Sequence, residues 1–142
     1  MSKDIINLPG MEIRFSLDAM DTKGKQTLFK CVIQAGAKIA APHYHENFDE
    51  TVYGLKGVVT YVVDGKTIEL GPGDALFVPR GAVHGFANYS NETIEFLCAA
   101  TPGVFGPDYF KDVAEVLNAG GPPDMSKLKQ VMLNHGLVPV AG

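Results

Sequence analysis

Three histidines and a glutamate stand at spacings that suit a divalent cation. His43 and His45 flank Tyr44, Glu50 follows shortly after, and His84 arrives much later, behind the turn Pro79-Arg80-Gly81. Imidazole nitrogens combined with a carboxylate oxygen match borderline cations such as Mn, Fe, Co, Ni or Zn, and a set without thiolate argues against a closed structural zinc site. The expectation is one divalent transition metal per chain, with coordination room left for a small-molecule substrate.

Strand geometry explains how the set could converge. Side chains at i and i+2 share one face of an extended segment, so His43 and His45 point the same way and Tyr44 the other. Pro42 disfavours helix at Ala41, and no helical pattern surrounds the pair, so the i, i+4 arrangement of a metalloprotease helix does not apply. Glu50 must come from the next pass of the chain, and His84 from a further strand that begins after the Pro79-Arg80-Gly81 turn. Glu46 and Asp49 compete with Glu50 as the acidic ligand, although both also read as a solvated loop. Asn88 suits a structural turn better than a metal bond, and Arg80 reads as an exposed turn tip.

The elements that carry these residues are strands up to about residue 100. Runs rich in Val, Ile, Phe, Tyr and Thr fall at 12–17, 27–34, 51–55, 58–63, 66–70, 75–78, 84–89 and 93–99. Asp64-Gly65 is the strongest hairpin signal, because a tight primed turn demands positive φ. Even strand spacing without helical crossovers predicts an all-β fold, an antiparallel double-sheet jelly roll with the ligands inside its mouth. Inward faces including Ile33, Phe86 and Phe96 would wall the pocket. After Thr101-Pro102-Gly103 the period becomes helical. One helix opens at Pro107-Asp108 with Phe110, Val113, Val116 and Leu117 on one side, and a second opens at Asp124 with Leu128, Val131 and Met132 as its apolar stripe. His135-Gly136 ends that helix, so His135 reads as a cap rather than a ligand. The division is a β-barrel domain over 1–103 and a C-terminal helical extension over 104–142 packed on it, either against its exterior or a partner, or as a lid.

Composition agrees with one small domain: 142 residues, 46% hydrophobic and 20% charged. Twelve basic against sixteen acidic residues give a net charge of −4 with no Lys/Arg cluster, which excludes nucleic-acid binding by a basic surface. The N-terminus lacks a basic start followed by an apolar stretch, and no apolar run approaches the ~20 residues that span a bilayer, so no membrane role and a cytoplasmic location are expected. Cys31 and Cys98 sit in strand patterns as buried free thiols, Phe29, Cys31 and Ile33 sharing one face and Ile94, Phe96 and Cys98 another. A small open sandwich has edge strands that need covering, so a homodimer is expected. The apolar N-terminal segment with Ile5, Ile6, Leu8, Met11 and Ile13 is the element expected to lie along the neighbouring sheet, its alternative being a first strand on its own barrel.

Taken together, the residues resemble the cupin superfamily. Gly36, His43, His45, Glu50 and Gly57 stand in the places of its first motif, and Gly73, Pro79, Gly81, His84 and Asn88 match the second. One departure is that six residues rather than five separate Gly36 from His43, which reads as a longer loop or a bulge. The resemblance selects Glu50 over Glu46 and Asp49 and implies a metal held by His43, His45, Glu50 and His84. The Thr-Pro-Gly turn, a helix containing Tyr-Phe and a Gly-Pro-Pro-Asp helix start are similar to small monocupins related to quercetin dioxygenase. That likeness implies a dioxygenase acting on an aromatic or enolisable compound, with Glu50 as the catalytic group that takes a substrate hydroxyl proton. The alternatives are a non-redox metal-dependent isomerase, lyase or cyclase, and a ligand-binding cupin without turnover.

Overall fold

Alternating burial along two long strands builds the centre of the molecule. In a computed structural model, which describes residues 4–39 and 41–140, β3 (Thr27–Ile33) buries Thr27, Phe29, Cys31 and Ile33. The partner strand β10 (Ile94–Thr101) buries Ile94, Phe96, Cys98 and Ala100 in the same rhythm. The two pair antiparallel with Phe96 opposite Cys31 and Cys98 opposite Phe29, so the two apolar runs merge into one inner face. Both cysteines are buried free thiols.

Around this pair the chain forms two antiparallel sheets. One has six strands: β1 (Ile5–Leu8), β2 (Met11–Leu17), β3, β10, β5 (Asp49–Lys56) and β8 (Ala75–Val78), in that order. The other has five: β11 (Leu137–Pro139), β4 (His43–His45), β9 (His84–Ala87), β6 (Val59–Val63) and β7 (Lys66–Leu70). Their inner faces enclose the core, which is the double-sheet arrangement expected of a jelly roll. At the β6–β7 hairpin Asp64 and Gly65 both take positive φ, 47° and 80°, as a primed turn requires. Gly57, which ends β5, has φ 68°, and a Cβ there would lie 2.5 Å from Ile94 Cγ2, so both backbone angle and space demand glycine.

The expected strands all form, with ends shifted by a residue or two. Two elements go beyond the sequence reading, and a third, the N-terminal strand, takes the alternative that the sequence left open. A short helix α1 (Ala19–Thr22) is started by Asp18, whose carboxylate accepts from Met20 N and Asp21 N. The N-terminal residues form β1 as a hairpin strand on their own barrel, Ile6 opposite Ile13, and β1 borders no second partner strand among the described residues. Segment 104–142 contributes β11 to the sheet beside β4 in addition to its helices.

Helix α2 (Pro107–Leu117) and helix α3 (Met125–Asn134) follow the predicted stripes closely. Asp124 caps α3 by accepting from Ser126 N and Lys127 N. Helix α2 buries Tyr109, Phe110 and Val113, and α3 buries Leu128 and Met132. The Phe110 ring lies 5.3 Å from that of Phe29 and 5.0 Å from that of Phe105. Each such side chain contributes ~1.5–3 kcal/mol on burial, enough to hold the helices over one end of the barrel. Among the described residues no helix is long and apolar enough to cross a membrane.

Candidate metal centre

Strand register brings the histidines together. His43 on β4 is the direct cross-strand partner of His84 on β9. His45 lies two residues along β4, on the same face as His43, with Leu137 of β11 opposite it. One ligand-capable nitrogen from each of His43, His45 and His84 falls within 4.8 Å of the others. Glu50 reaches in from β5 of the facing sheet, its Oε1 3.8 Å from His45 Nε2 and 3.9 Å from His84 Nε2.

Hydrogen bonds to carbonyls fix two of the tautomers. His43 Nδ1–H donates to Ala41 O at 3.0 Å, and His84 Nδ1–H donates to Ala82 O at 2.9 Å. A carbonyl can only accept, so each Nδ1 carries the proton and each Nε2 keeps its lone pair for an electrophile. His45 is different: it is 1% exposed, and neither ring nitrogen has a hydrogen-bond partner. Its ring is held by stacking on Phe48, centroids 4.1 Å apart. Leaving a buried polar group unsatisfied costs ~1–3 kcal/mol, which a cation bound at the imidazole lone pair would offset. Three imidazole nitrogens with a carboxylate oxygen beside them therefore fit a borderline divalent cation.

The electrostatics agree with that donor set. Burial, reinforced by His84, pushes His43 from 6.5 down to about 4. The same burial, reinforced by His84 and His43, pushes His45 from 6.5 down to about 2. Both are neutral near pH 7, the form that binds metal. Burial raises the Glu50 carboxyl above its ordinary value, opposed by His84 and by a hydrogen bond from the Cys98 thiol.

The other candidates go elsewhere. Asp49 points away from the cluster and binds Arg80, accepting its backbone N–H at 3.0 Å and its guanidinium at 3.2 and 3.3 Å. That pairing anchors Arg80, which is exposed at the turn as expected. Glu46 is exposed. Asn88 is fully buried and structural: its Nδ2 donates to Ile33 O and Glu92 O, and its Oδ1 accepts from Ser90. His135 caps α3 and sits 2.9 Å from Asp112 Oδ2. The longer stretch after Gly36 is a loop tied to β9, with Gly36 N donating to Asn88 O and Ile39 N to Phe86 O.

The histidines and Glu50 open into a cavity of about 260 Å³. Phe86 and Phe96 line it as expected, whereas Ile33 belongs to the packed core and does not. Sequence reasoning missed Phe48 and Phe105, which stack on each other at 4.7 Å beside His45, and missed that α2 and α3 supply cavity wall through Tyr109, Phe110, Leu128 and Met132. The apolar stripes of the helices were the available signal, but a stripe does not reveal which surface it covers.

Two antiparallel sheets with this cluster between them define a small β-sandwich whose three histidines could hold a metal ion. The cupin domain family matches residues 29–100, half of the chain, and the chain belongs to that family. It is 40% identical over 73 residues to quercetin 2,3-dioxygenase of Bacillus subtilis, a match covering 51% of this chain and 21% of that enzyme. It is 30% identical over 101 residues to an uncharacterised protein of Methanocaldococcus jannaschii, covering 70% of this chain and 80% of the relative. A crystal structure of a sugar phosphate isomerase from Silicibacter pomeroyi superposes with a TM-score of 0.60 at 22% identity, covering 71% of each chain. That likeness is one of fold.

Two outcomes follow from the centre. His84→Ala should remove most of the bound metal, and the double change His43→Ala plus His45→Ala all of it, as read by elemental analysis of protein purified without added metal; stoichiometric metal in the double variant contradicts the assignment. Metal-free protein should also lose stability in acid. The lowered values of His43 and His45 mean that the unfolded imidazoles take up protons first, so stability falls as pH drops from about 6.5 towards about 4. Glu50, raised in the fold, acts oppositely: its contribution is present below about 4.5 and is lost as pH rises through its folded value. Thermal melts of metal-free Glu50→Gln, which lacks the opposing carboxyl, between about pH 7 and about pH 5 should show the acid loss, and an unchanged midpoint would refute it.

Proposed function

We propose that this protein is a metal-dependent dioxygenase acting on a small aromatic or enolisable compound, with His43, His45, Glu50 and His84 as the metal ligands. The observation that carries the reading is the siting of the three-histidine cluster on the wall of an apolar cavity lined by aromatic rings, among them Phe29, Phe86, Phe96 and Phe105. Such walls favour flat, weakly hydrated molecules. The partial likeness to quercetin 2,3-dioxygenase supports it, although that match spans about a fifth of the enzyme.

A bound transition metal would supply Lewis-acid polarisation of a substrate oxygen and a centre at which dioxygen can react. The protein's own groups divide the remaining work. Stacking on Phe48 and the Nδ1–H bonds to Ala41 O and Ala82 O orient the imidazoles in advance. Glu50 is the general base, its buried carboxylate taking the hydroxyl proton of an enol or phenol brought within hydrogen-bond reach. Phe29, Phe96 and Phe110 exclude water from the reacting groups.

An oxygen-electrode screen of metal-loaded protein against flavonols and diketones tests the reading. Substrate-dependent oxygen uptake is expected, and product formation undiminished under nitrogen would instead assign a non-redox isomerase, lyase or cyclase. Glu50→Gln should lower turnover by roughly a hundredfold or more while leaving the fold intact, because Gln keeps the shape but cannot act as a base. Wild-type turnover in metal-replete Glu50→Gln would remove the general-base role.

The proposal extends to a homodimer in which the outer edge of β1 borders the partner's sheet, Ile5 being 58% exposed there. Deleting residues 1–10 should then weaken association without releasing metal. Light scattering that reports a monomer at tens of micromolar, or undiminished pairing of the truncated chain, contradicts it.

A further inference from the structure

Two thiols and the Tyr61 phenol stand on the cavity wall and have no part in the chemistry described so far. Cys98 lies on β10, between β3 and β5, with Phe29 directly opposite on one side and Val52 on the other. Cys31 of β3 is opposite Phe96, and Glu50 of β5 is opposite Ala100. Cys31, Cys98 and Glu50 therefore step diagonally across neighbouring strands, all in the buried phase. Tyr61 comes from β6 of the facing sheet and is 2% exposed. These side chains line the same cavity as the histidines.

The diagonal sets what the sulfurs can do. Diagonal cross-strand neighbours lie about 7–8 Å apart, at or beyond the Cα span that a disulfide bridges without backbone movement, so the register keeps both cysteines as thiols. The Cys98 thiol meets Glu50, Cys31 and the Tyr61 hydroxyl, which reaches across the sandwich. As ligand and base Glu50 works as a carboxylate, which only accepts, so the single S–H of Cys98 donates to it. With that proton spent, the Tyr61 O–H and the Cys31 S–H donate to Cys98 Sγ. No other group among the described residues donates a hydrogen bond to Glu50. Without the thiol its last torsion, which is broad by nature, would be set by packing alone.

We infer that Cys98 is a positioning residue of the metal centre: its S–H holds the Glu50 carboxylate in the orientation that faces His45 and His84, and Tyr61 holds Cys98 in turn. The inference rests on the proposed function only in taking Glu50 as a metal ligand. Cys98 itself touches neither the histidines' metal nor the substrate. It acts through the carboxylate, as the carbonyls of Ala41 and Ala82 act through His43 and His84.

Two measurements test this. The first is infrared absorption of metal-free protein at alkaline pH, where Glu50 is ionised, in the S–H stretching window that other protein groups leave empty. Cys98→Ser identifies the Cys98 band by removing it. Glu50→Gln should move that band to higher frequency, because a neutral amide accepts more weakly than a carboxylate. A band that does not move overturns the hydrogen bond and the inference with it. The second is calorimetric affinity for Co2+ in a double-substitution cycle. Cys98→Ala should weaken binding about tenfold, and Cys98→Ser, which keeps a donor in place, should recover most of the loss. In the Glu50→Gln background Cys98→Ala should cost nothing further, because the residue acts through the carboxylate. Equal losses in both backgrounds, or wild-type affinity in Cys98→Ala, overturn the positioning role and leave the metal centre standing. Failure of the wild-type protein to bind Co2+ refutes the centre itself. Neither measurement needs turnover, so an absence of dioxygenase activity bears on the reaction alone.

Discussion

Crowding three neutral imidazoles into an apolar interior creates a demand that the surrounding fold is built to hold. His45 is the sharpest instance, enclosed with both ring nitrogens unpaired and kept in place by Phe48 rather than by a hydrogen bond. Protonating it there is strongly disfavoured, and donating to a cation is the interaction its surroundings leave open. His43 and His84 are arranged differently for the same end, each spending its Nδ1–H on a carbonyl two residues earlier in the chain so that Nε2 stays free. The register that makes His43 and His84 cross-strand partners is thus the structural constraint on which the centre depends. A one-residue slip of β4 against β9 would turn both β4 histidines to the outer face.

Much of this was legible because it is periodic. The i, i+2 spacing of His43 and His45 requires only an extended backbone, and Asp64-Gly65 announces its hairpin through positive φ. The choice among the acids was legible only through the cupin resemblance, and the structure supplies its physical reason. Glu50 shares the buried phase of β5 with Val52 and Gly54, while Asp49 falls on the other phase and pairs with Arg80. What was not legible is non-local. Leu137–Pro139 is too short to read as a strand, and its place beside β4 depends on a partner some ninety residues earlier. The stacking of Phe48 on His45, and the use of Phe110 and Leu128 as cavity wall, follow from where α2 and α3 dock, which no single helical stripe specifies.

The same docking encloses the histidine cluster in a cavity. Without α2 and α3 the barrel mouth would be open to water, and the histidines would face solvent on that side. With the helices in place the cavity is walled largely by hydrocarbon, and its few polar groups gain discriminating power because unpaired partners there are costly. The buried Glu50 carboxyl shares this dryness, and burial raises it above its ordinary value.

X-ray absorption at the edge of the metal present in purified protein tests the central claim most directly. A first shell of three imidazole nitrogens and carboxylate oxygen at roughly 2.0–2.2 Å, with the outer-shell pattern of histidine rings, is the predicted result. A sulfur scatterer at about 2.3 Å, or a first shell with fewer than three imidazoles, would contradict an account built on His43, His45 and His84.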